Sequence, residues 1–158
     1  MENFEIESKI QEYSNMIYRL ALSILKNVAD SEDVYQEVIM KFCKHYDELK
    51  SKEHEKAWLI RVTINQCNSL TRLSWFKNRA ELDEEIPYTD KVKDDVYYSV
   101  MELPKKYRIV IHLFYYEDYK ISEIATILNE NESTVKSKLK RARELLKKKI
   151  EGGLEDEQ

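Results

Sequence analysis

The sequence has very few of the residues that make tight turns, with only two glycines and two prolines in 158 residues. Two-residue hairpin turns and the loops that cradle phosphates both depend on glycine. A hairpin-rich β protein and a P-loop nucleotide-binding protein are therefore disfavoured. Because 42% of the residues are hydrophobic, a core is still available, and the composition indicates an all-α fold.

Paired cysteines and long apolar runs are also missing. Cys43 and Cys67 lie far apart, and no stretch approaches the roughly 20 consecutive apolar residues of a membrane helix. The N-terminus MENFEIESKI lacks the basic and apolar regions of a signal peptide. No metal-ligand spacing or nucleophile motif is present. We therefore expect a cytoplasmic protein, not inserted in a membrane, with no metal site, no cofactor, no catalytic residues and no enzymatic activity.

Helical periodicity is strong in the first 76 residues. Apolar residues recur every three or four positions from Ile6 to Leu25, which predicts an amphipathic helix ending near Asn27. A second helix is expected from about Asp30, with Ser31 as its cap. A third is expected from about Glu55 to Leu73. Its expected core contacts are Trp58, Leu59, Val62 and Leu70.

The periodicity fades between residues 77 and 95. The segment AELDEEIPYTDKVKDD contains seven acids and two lysines, which is typical of a linker. The sequence therefore predicts two small helical domains, residues 1–76 and 96–150. An acidic tail, residues 151–158, should follow, with Gly152 and Gly153 ending the last helix.

The second domain has the pattern of a helix-turn-helix. Residues 121–128, ISEIATIL, form one apolar face of a short helix that Ser122 can cap. Asn129 follows, where the backbone usually turns through the left-handed region that Asn tolerates. The next helix should bury the apolar stripe Val135, Leu139, Ala142 and Leu146.

That second helix is strongly basic. Residues 132–149, ESTVKSKLKRARELLKKK, carry a local net charge of +6 in a chain whose net charge is −4. A solvated face that favours the negative end of the helix dipole explains Lys147 to Lys149. The basic residues also begin in the first turn, where they oppose the dipole. Because Lys and Arg neutralise phosphates, and Ser, Thr and Arg can reach base edges, we expect this helix to bind DNA.

Two motif blocks resemble a known family. The string ISEIATILNENESTVKSKLKRARELL resembles domain 4 of bacterial sigma-70 family factors, above all the extracytoplasmic-function (ECF) subgroup, whose last helix typically follows a TVKSR-L-x-RAR pattern. The segments DSEDVYQEVIMKFCKHYDEL and EKAWLIRVTINQCNSLTR resemble the acidic DAEDLVQE-type and WLxRIAxN-type segments of sigma domain 2. The resemblance covers about residues 8 to 148.

This resemblance implies a sigma factor, which binds core RNA polymerase and directs it to promoter DNA. It further implies an anti-sigma partner, which is membrane-bound for many members, and a loop at residues 47–56 that catches a flipped base. The residues implied to bind core polymerase are Asp30, Glu32, Asp33, Gln36 and Glu37. Those implied to meet the −10 element are Arg61, Asn65, Asn68 and Arg72. Those implied to meet the −35 element are Ser133, Thr134, Lys136, Ser137, Lys140, Arg141 and Arg143.

The residues leave other interpretations open. The acids of the second helix can also serve only its N-terminal dipole and solubility. The chain as a whole can also be a helix-turn-helix regulator whose N-terminal block dimerises or senses a signal, so that it binds duplex DNA without docking on polymerase.

Overall fold

The computed structural model describes residues 2–72 and 95–156, and every regular element in these two ranges is helical, which confirms the all-α prediction. The chain divides into two compact units, Met1–Ile86 and Pro87–Gln158. The predicted acidic linker, residues 77–95, lies outside the described residues except for Asp95. Within the described residues no helix is long and apolar enough to cross a membrane.

The N-terminal unit is a bundle of three helices that all pack against one another. They are α1 (Glu2–Leu25), α2 (Val28–His45) and α3 (Lys52–Thr71), with a 3₁₀ turn (Tyr46–Glu48) after α2. The large side chains at its centre include Ile17, Leu20, Phe42 and Leu59, each fully buried. Their apolar area supplies most of the stabilisation of a bundle of this size.

The start of α2 differs from the prediction. The helix begins at Val28, and the cap is Asn27, whose side-chain oxygen accepts the Asp30 N–H at 2.8 Å. Asn caps a helix as well as Ser does, so capping preference alone does not select between the two residues. Ser31 is buried in the helix instead, and its hydroxyl donates to the Asn27 carbonyl at 2.6 Å.

The helix α3 also begins earlier than predicted, after Ser51, whose hydroxyl accepts the His54 N–H at 3.1 Å. Of its predicted core residues only Leu59 is buried, whereas Trp58, Val62 and Leu70 are partly exposed. The face of α3 that meets α1 and α2 differs from the predicted face and includes smaller and more polar side chains. That face buries Glu55, Leu59, Ile60, Thr63, Ile64 and Cys67.

The C-terminal unit contains α4 (Asp95–Met101), α5 (Lys105–Ile111), α6 (Ile121–Leu128) and α7 (Glu132–Asp156). A π-helical turn (His112–Tyr116) extends α5. Contacts of α7 with α4, α5 and α6 form the core of the unit. Three residues of the predicted α7 stripe, Val135, Leu139 and Ala142, are at most 1% exposed, and the fourth, Leu146, is half-buried.

The turn between α6 and α7 forms as predicted at Asn129. This residue lies in the left-handed region (φ 55°, ψ 48°), and the next N–H, of Glu130, donates to the Ala125 carbonyl at 2.9 Å. The expected cap, Ser122, lies instead in the first turn of α6. The Glu123 carboxylate takes the capping role, because it accepts the Lys120 N–H at 2.9 Å.

The two glycines near the C-terminus do not end α7, in contrast to the prediction. The helix continues through Gly152 and Gly153 to Asp156. A glycine inside a helix costs only about 1 kcal/mol, and the hydrogen-bonded turns before it favour propagation. Glycine is therefore a weak stop where no left-handed turn or proline follows.

Candidate nucleic-acid interface

The exposed side of α7 carries a continuous polar and basic surface, which we call the recognition face. Its members are Ser133, Thr134, Lys136, Ser137, Lys140 and Arg141, all of them exposed. At 3.6 residues per turn, Ser133, Ser137 and Lys140 point directly away from the buried stripe. The core therefore holds the helix from behind while hydroxyls and cations face outward.

A second element borders the recognition face. Lys106 and Tyr107, at the start of α5, line one groove together with Ser133, Ser137 and Arg141 of α7. Lys106 is exposed, and its Nζ lies 5.0 Å from the centre of the Tyr107 ring, in a cation–π contact. Sequence spacing does not reveal this neighbour, because more than 25 residues separate it from α7. The available signal in the sequence was the segment Lys105–Tyr107 directly after Pro104.

Several of the basic side chains of α7 already have partners within the protein. The half-buried Lys138 donates to Glu130 at 2.6 Å, and Arg141 lies 3.4 Å from Glu144. In the described ranges Lys136 and Lys140 have no ion pair with a carboxylate. These two lysines are therefore the cations of the recognition face that are most available to a phosphate.

Arg143, predicted to contact the DNA backbone, follows Lys136 and Lys140 at helical spacing on α7, and its side chain packs against two aromatic rings. Its guanidinium carbon is 5.4 Å from the centre of the Phe114 ring and 5.6 Å from that of Tyr115. Its Nε donates to the Tyr115 hydroxyl at 2.6 Å. These contacts hold the Arg143 guanidinium against the π-helical turn, at the C-terminal end of the stripe that it shares with Lys136 and Lys140.

The predicted −10 residues share one face of α3. Arg61, Asn65 and Arg72 are exposed and Asn68 is half-buried. Their spacings of four, three and four residues align them within one narrow stripe of the helix. The structure thus brings together two guanidinium groups and two amides, all able to donate hydrogen bonds to phosphates or base edges.

A groove runs beside this stripe. Asn65 lines it together with Trp58, His45 and Lys41, and Lys41 donates to the Gln66 side chain at 2.7 Å. Trp58, expected in the core, packs on Phe42 at 6.3 Å and His45 at 5.8 Å between ring centres, but part of it faces the groove. One wall of the groove is therefore aromatic, although Trp58 was predicted to lie in the core.

The predicted polymerase-binding residues divide into two groups. Glu32, Asp33, Gln36 and Glu37 are exposed on one face of α2, which we call the acidic face. Asp30 is only 4% exposed, because a helix that begins at Val28 turns it toward the buried side with Val34 and Phe42. Asp30 is thus positioned for the fold and not for surface contact. Met40, which is 66% exposed, extends the acidic face by one turn.

Comparison with known families matches both units. The model of sigma-70 region 2 matches residues 10–76, and that of sigma-70 region 4 matches residues 93–146. The RNA polymerase sigma factor SigV of Bacillus subtilis is 34% identical over 144 residues, which cover 87% of this chain and 86% of that protein. The ECF RNA polymerase sigma factor SigW of the same organism is 28% identical over 160 residues, covering 87% and 84%.

Solved structures show the same fold. The sigma factor RpoE of Bartonella quintana, in complex with the anti-sigma factor NepR, matches with a TM-score of 0.75 at 20% identity, over 96% of this chain and 98% of that one. CnrH, in complex with the cytosolic domain of CnrY, matches with a TM-score of 0.67 at 21% identity, over 93% and 88%. The helix-turn-helix, the two matched regions and the relatives together show that this chain belongs to the sigma-70 family of RNA polymerase sigma factors, in the ECF subgroup.

Proposed function

We propose that this sigma factor docks on core RNA polymerase through the acidic face of α2 and contacts promoter DNA through α3 and α7. The observation that carries the proposal is the separation of charge. The exposed surface of α2 is acidic, whereas the exposed stripe of α3 and the recognition face of α7 offer cations and hydrogen-bond donors. A protein that bridges a polymerase and a promoter needs both kinds of surface.

The acidic face suits a basic and polar protein partner. Its carboxylates extend beyond the first turn to Glu37, farther than the helix dipole requires. Met40 adds an exposed, flexible apolar side chain of the type enriched at protein interfaces. We expect Glu32, Asp33 and Glu37 to steer association and Met40 to be buried on docking.

The helix α3 is proposed to meet the −10 element. In this proposal Arg61 and Arg72 hold the DNA backbone, and Asn65 and Asn68 contact bases. Asn65 belongs both to this stripe and to the groove with Trp58. An unpaired base can therefore reach an amide and an aromatic surface at one place, as single-strand recognition requires.

The recognition face is proposed to read the −35 element in the major groove. In this proposal Ser133, Thr134 and Ser137 contact base edges or phosphates, and Lys136, Lys140 and Arg141 contact the backbone. Lys106 extends the phosphate-binding surface onto α5, across the groove that Tyr107 lines. The chain would act in the cytoplasm without catalytic chemistry of its own. An anti-sigma factor is a proposed partner, since RpoE and CnrH were each solved with a second protein.

Start-site mapping with reconstituted polymerase tests this function. The purified chain is mixed with core polymerase and a promoter library, and transcript start sites are sequenced. We expect one class of promoter to be selected. A helix-turn-helix regulator would instead bind duplex DNA alone and select no start sites with core polymerase.

Two sets of variants separate the proposed roles. Replacing Glu32, Asp33 and Glu37 with Gln should weaken binding to core polymerase. Replacing Lys136, Lys140 and Arg141 with Ala should leave core binding intact and abolish promoter selection. If the second set left promoter selection unchanged, the assignment of α7 to DNA would be wrong.

A further inference from the structure

We infer that Gln66, held in one orientation by Lys41, makes the groove beside the α3 stripe select a promoter base that carries a keto oxygen. The inference rests on the proposed contact of α3 with promoter DNA and adds a preference between bases to it. Gln66 follows Asn65 on α3, and both residues line the groove. Lys41 reaches the same groove from α2.

The Lys41 ammonium fixes the orientation of the Gln66 amide. Lys41 Nζ donates a hydrogen bond to Gln66 Oε1 at 2.7 Å. A lysine has donors and no acceptor, so the amide must turn its oxygen, and not its NH₂ group, toward the ammonium. A charged donor makes this bond roughly twice as strong as one between neutral groups. In the described ranges Lys41 has no ion pair with a carboxylate that would draw it away.

The NH₂ group of Gln66 is therefore the end of the amide that is left for a ligand. Within the part of the chain that the structure describes, the Gln66 side chain makes no other hydrogen bond. Its neighbour Asn65 is exposed and has no such tether in residues 2–72 and 95–156, so its amide can turn to present either end. Of the two amides in the groove, only that of Gln66 is a fixed donor.

A fixed donor distinguishes keto bases from amino bases. Thymine O4 and guanine O6 are acceptors, whereas adenine N6 and cytosine N4 are donors. A glutamine ordinarily binds adenine with both ends of its amide, because its oxygen accepts from N6 while its NH₂ group donates to N7. In this groove that contact would bring a second donor to an oxygen that Lys41 already occupies. The groove should therefore prefer thymine or guanine.

A role in joining α2 to α3 alone would have a different result. Both helices already contribute fully buried side chains to the core, among them Phe42 and Leu59, whereas Lys41 is exposed. Loss of an exposed hydrogen bond between the helices should affect the binding of all four bases equally. We therefore assign Gln66 as a specificity-determining residue and Lys41 as the residue that positions it.

The test measures the base preference of the holoenzyme. Fluorescent oligonucleotides with the −10 sequence of a mapped promoter are prepared with each of the four bases at each position in turn, and their affinities are measured. For the wild type, one position should favour thymine or guanine over adenine and cytosine by about 5-fold, the effect of one hydrogen bond. The ratio of these affinities is the readout, because it cancels changes that affect every base.

Two variants of Lys41 should change this ratio in different ways. In Lys41→Met the Gln66 amide can turn freely, so the ratio at that position should fall by about 5-fold. In Lys41→Glu the new carboxylate accepts from the Gln66 NH₂ group, which leaves the amide oxygen to accept from a base. The preference should then invert and favour adenine or cytosine.

Lys44→Glu is the matched control. It makes the same charge change on the same helix, at an exposed residue that has no hydrogen bond to Gln66 in the described ranges. Both Glu variants should bind every oligonucleotide more weakly, but Lys44→Glu should keep the wild-type ratio. Gln66→Leu removes the amide and should lower the ratio as Lys41→Met does. Affinity for core polymerase is measured for every variant to confirm that it is folded.

Three results would overturn the inference. The first is a wild type that selects promoters but has no position with a preference for a keto base. The second is an unchanged ratio in both Lys41 variants, which would show that the contact serves only packing. The third is an equal shift in Lys44→Glu and Lys41→Glu, which would indicate a general effect of charge. A wild type that selected no start sites would instead refute the proposed function itself.

Discussion

Salt dependence provides a quantitative test of which cations touch DNA. The perturbation is a triple replacement of Lys106, Lys136 and Lys140 by Ala. Lys136 and Lys140 are exposed on the recognition face, and Lys106 borders the groove beside it. Each is an exposed lysine placed to meet a phosphate, so the triple variant should lose three phosphate contacts and keep its buried core.

The magnitude follows from counterion release. Each cation that neutralises a phosphate of B-DNA adds about 0.9 to the slope of log K against log salt, so the triple variant should have a slope smaller in magnitude by about 2.7. Between about 50 and about 200 mM monovalent salt, the affinity advantage of the wild type should shrink by about 40-fold. The assay is fluorescence anisotropy of holoenzyme on a mapped duplex promoter, titrated with salt.

A matched control is available on the same helix. Replacing Lys147, Lys148 and Lys149 with Ala changes the net charge equally, but these residues lie beyond the recognition face. For this control variant, the slope of log K against log salt should differ from that of the wild type by less than about 1. Equal slope changes in the two variants would refute specific phosphate contacts and would indicate only a general electrostatic attraction between the protein and DNA. An unchanged slope in the first variant would refute DNA contact by these lysines.

The remaining predictions concern Arg143 and stability. Arg143→Ala should leave the salt slope unchanged, because its guanidinium is held by Phe114 and Tyr115; a slope lower by about 0.9 would mean that it touches a phosphate. Leu139→Ala should lower the free energy of unfolding of the C-terminal unit by about 2–5 kcal/mol, since Leu139 is 1% exposed; a loss below about 1 kcal/mol in urea titrations would contradict its core position. Asn129→Ala should lower the melting temperature of the protein and Asn129→Gly should not, because φ at residue 129 is 55°. Equal melting temperatures of the two variants would argue against the left-handed turn. Partial burial and a hydrogen bond to Glu5 raise the pKa of Tyr46 from 10.0 to about 12, so the folded state retains a proton that the unfolded state loses. The free energy of unfolding should therefore fall between about pH 10 and pH 12. In denaturant titrations the Tyr46→Phe variant should show a smaller fall. An identical pH profile for the variant and the wild type would refute the role of Tyr46.

Local signals predicted the helix-turn-helix well. Asn129 and the stripe of Val135, Leu139 and Ala142 follow from turn chemistry and helical periodicity, which depend only on near neighbours. Helix starts were less predictable. Asn27 and Ser31 are both good caps, and only packing against the other helices selects between them.

Contacts between distant segments could not be predicted. Trp58 was expected in the core because it is large and apolar, yet the face that meets α1 and α2 is set by three helices together. The same holds for Asp30, which looks like a surface acid until the register of α2 is known. Lys106 lines a groove with residues of α7, and Lys9 forms an ion pair with Glu55. In both cases the neighbour lies more than 25 residues away, and spacing along one helix does not encode such neighbours.

The internal partners of the basic residues in α7 have a consequence for the search along the chromosome. Lys138, Arg141, Lys147 and Lys149 each lie within ion-pair distance of a glutamate, and Arg143 is held by Tyr115. Dwell time on random DNA grows steeply with the number of phosphates neutralised, and a genome offers about a million or more competing sites. If α7 binds DNA as proposed, cations held by internal partners would neutralise fewer phosphates of random DNA, which would shorten each unproductive visit. The glutamates beside these cations would then influence how quickly the protein leaves a wrong sequence.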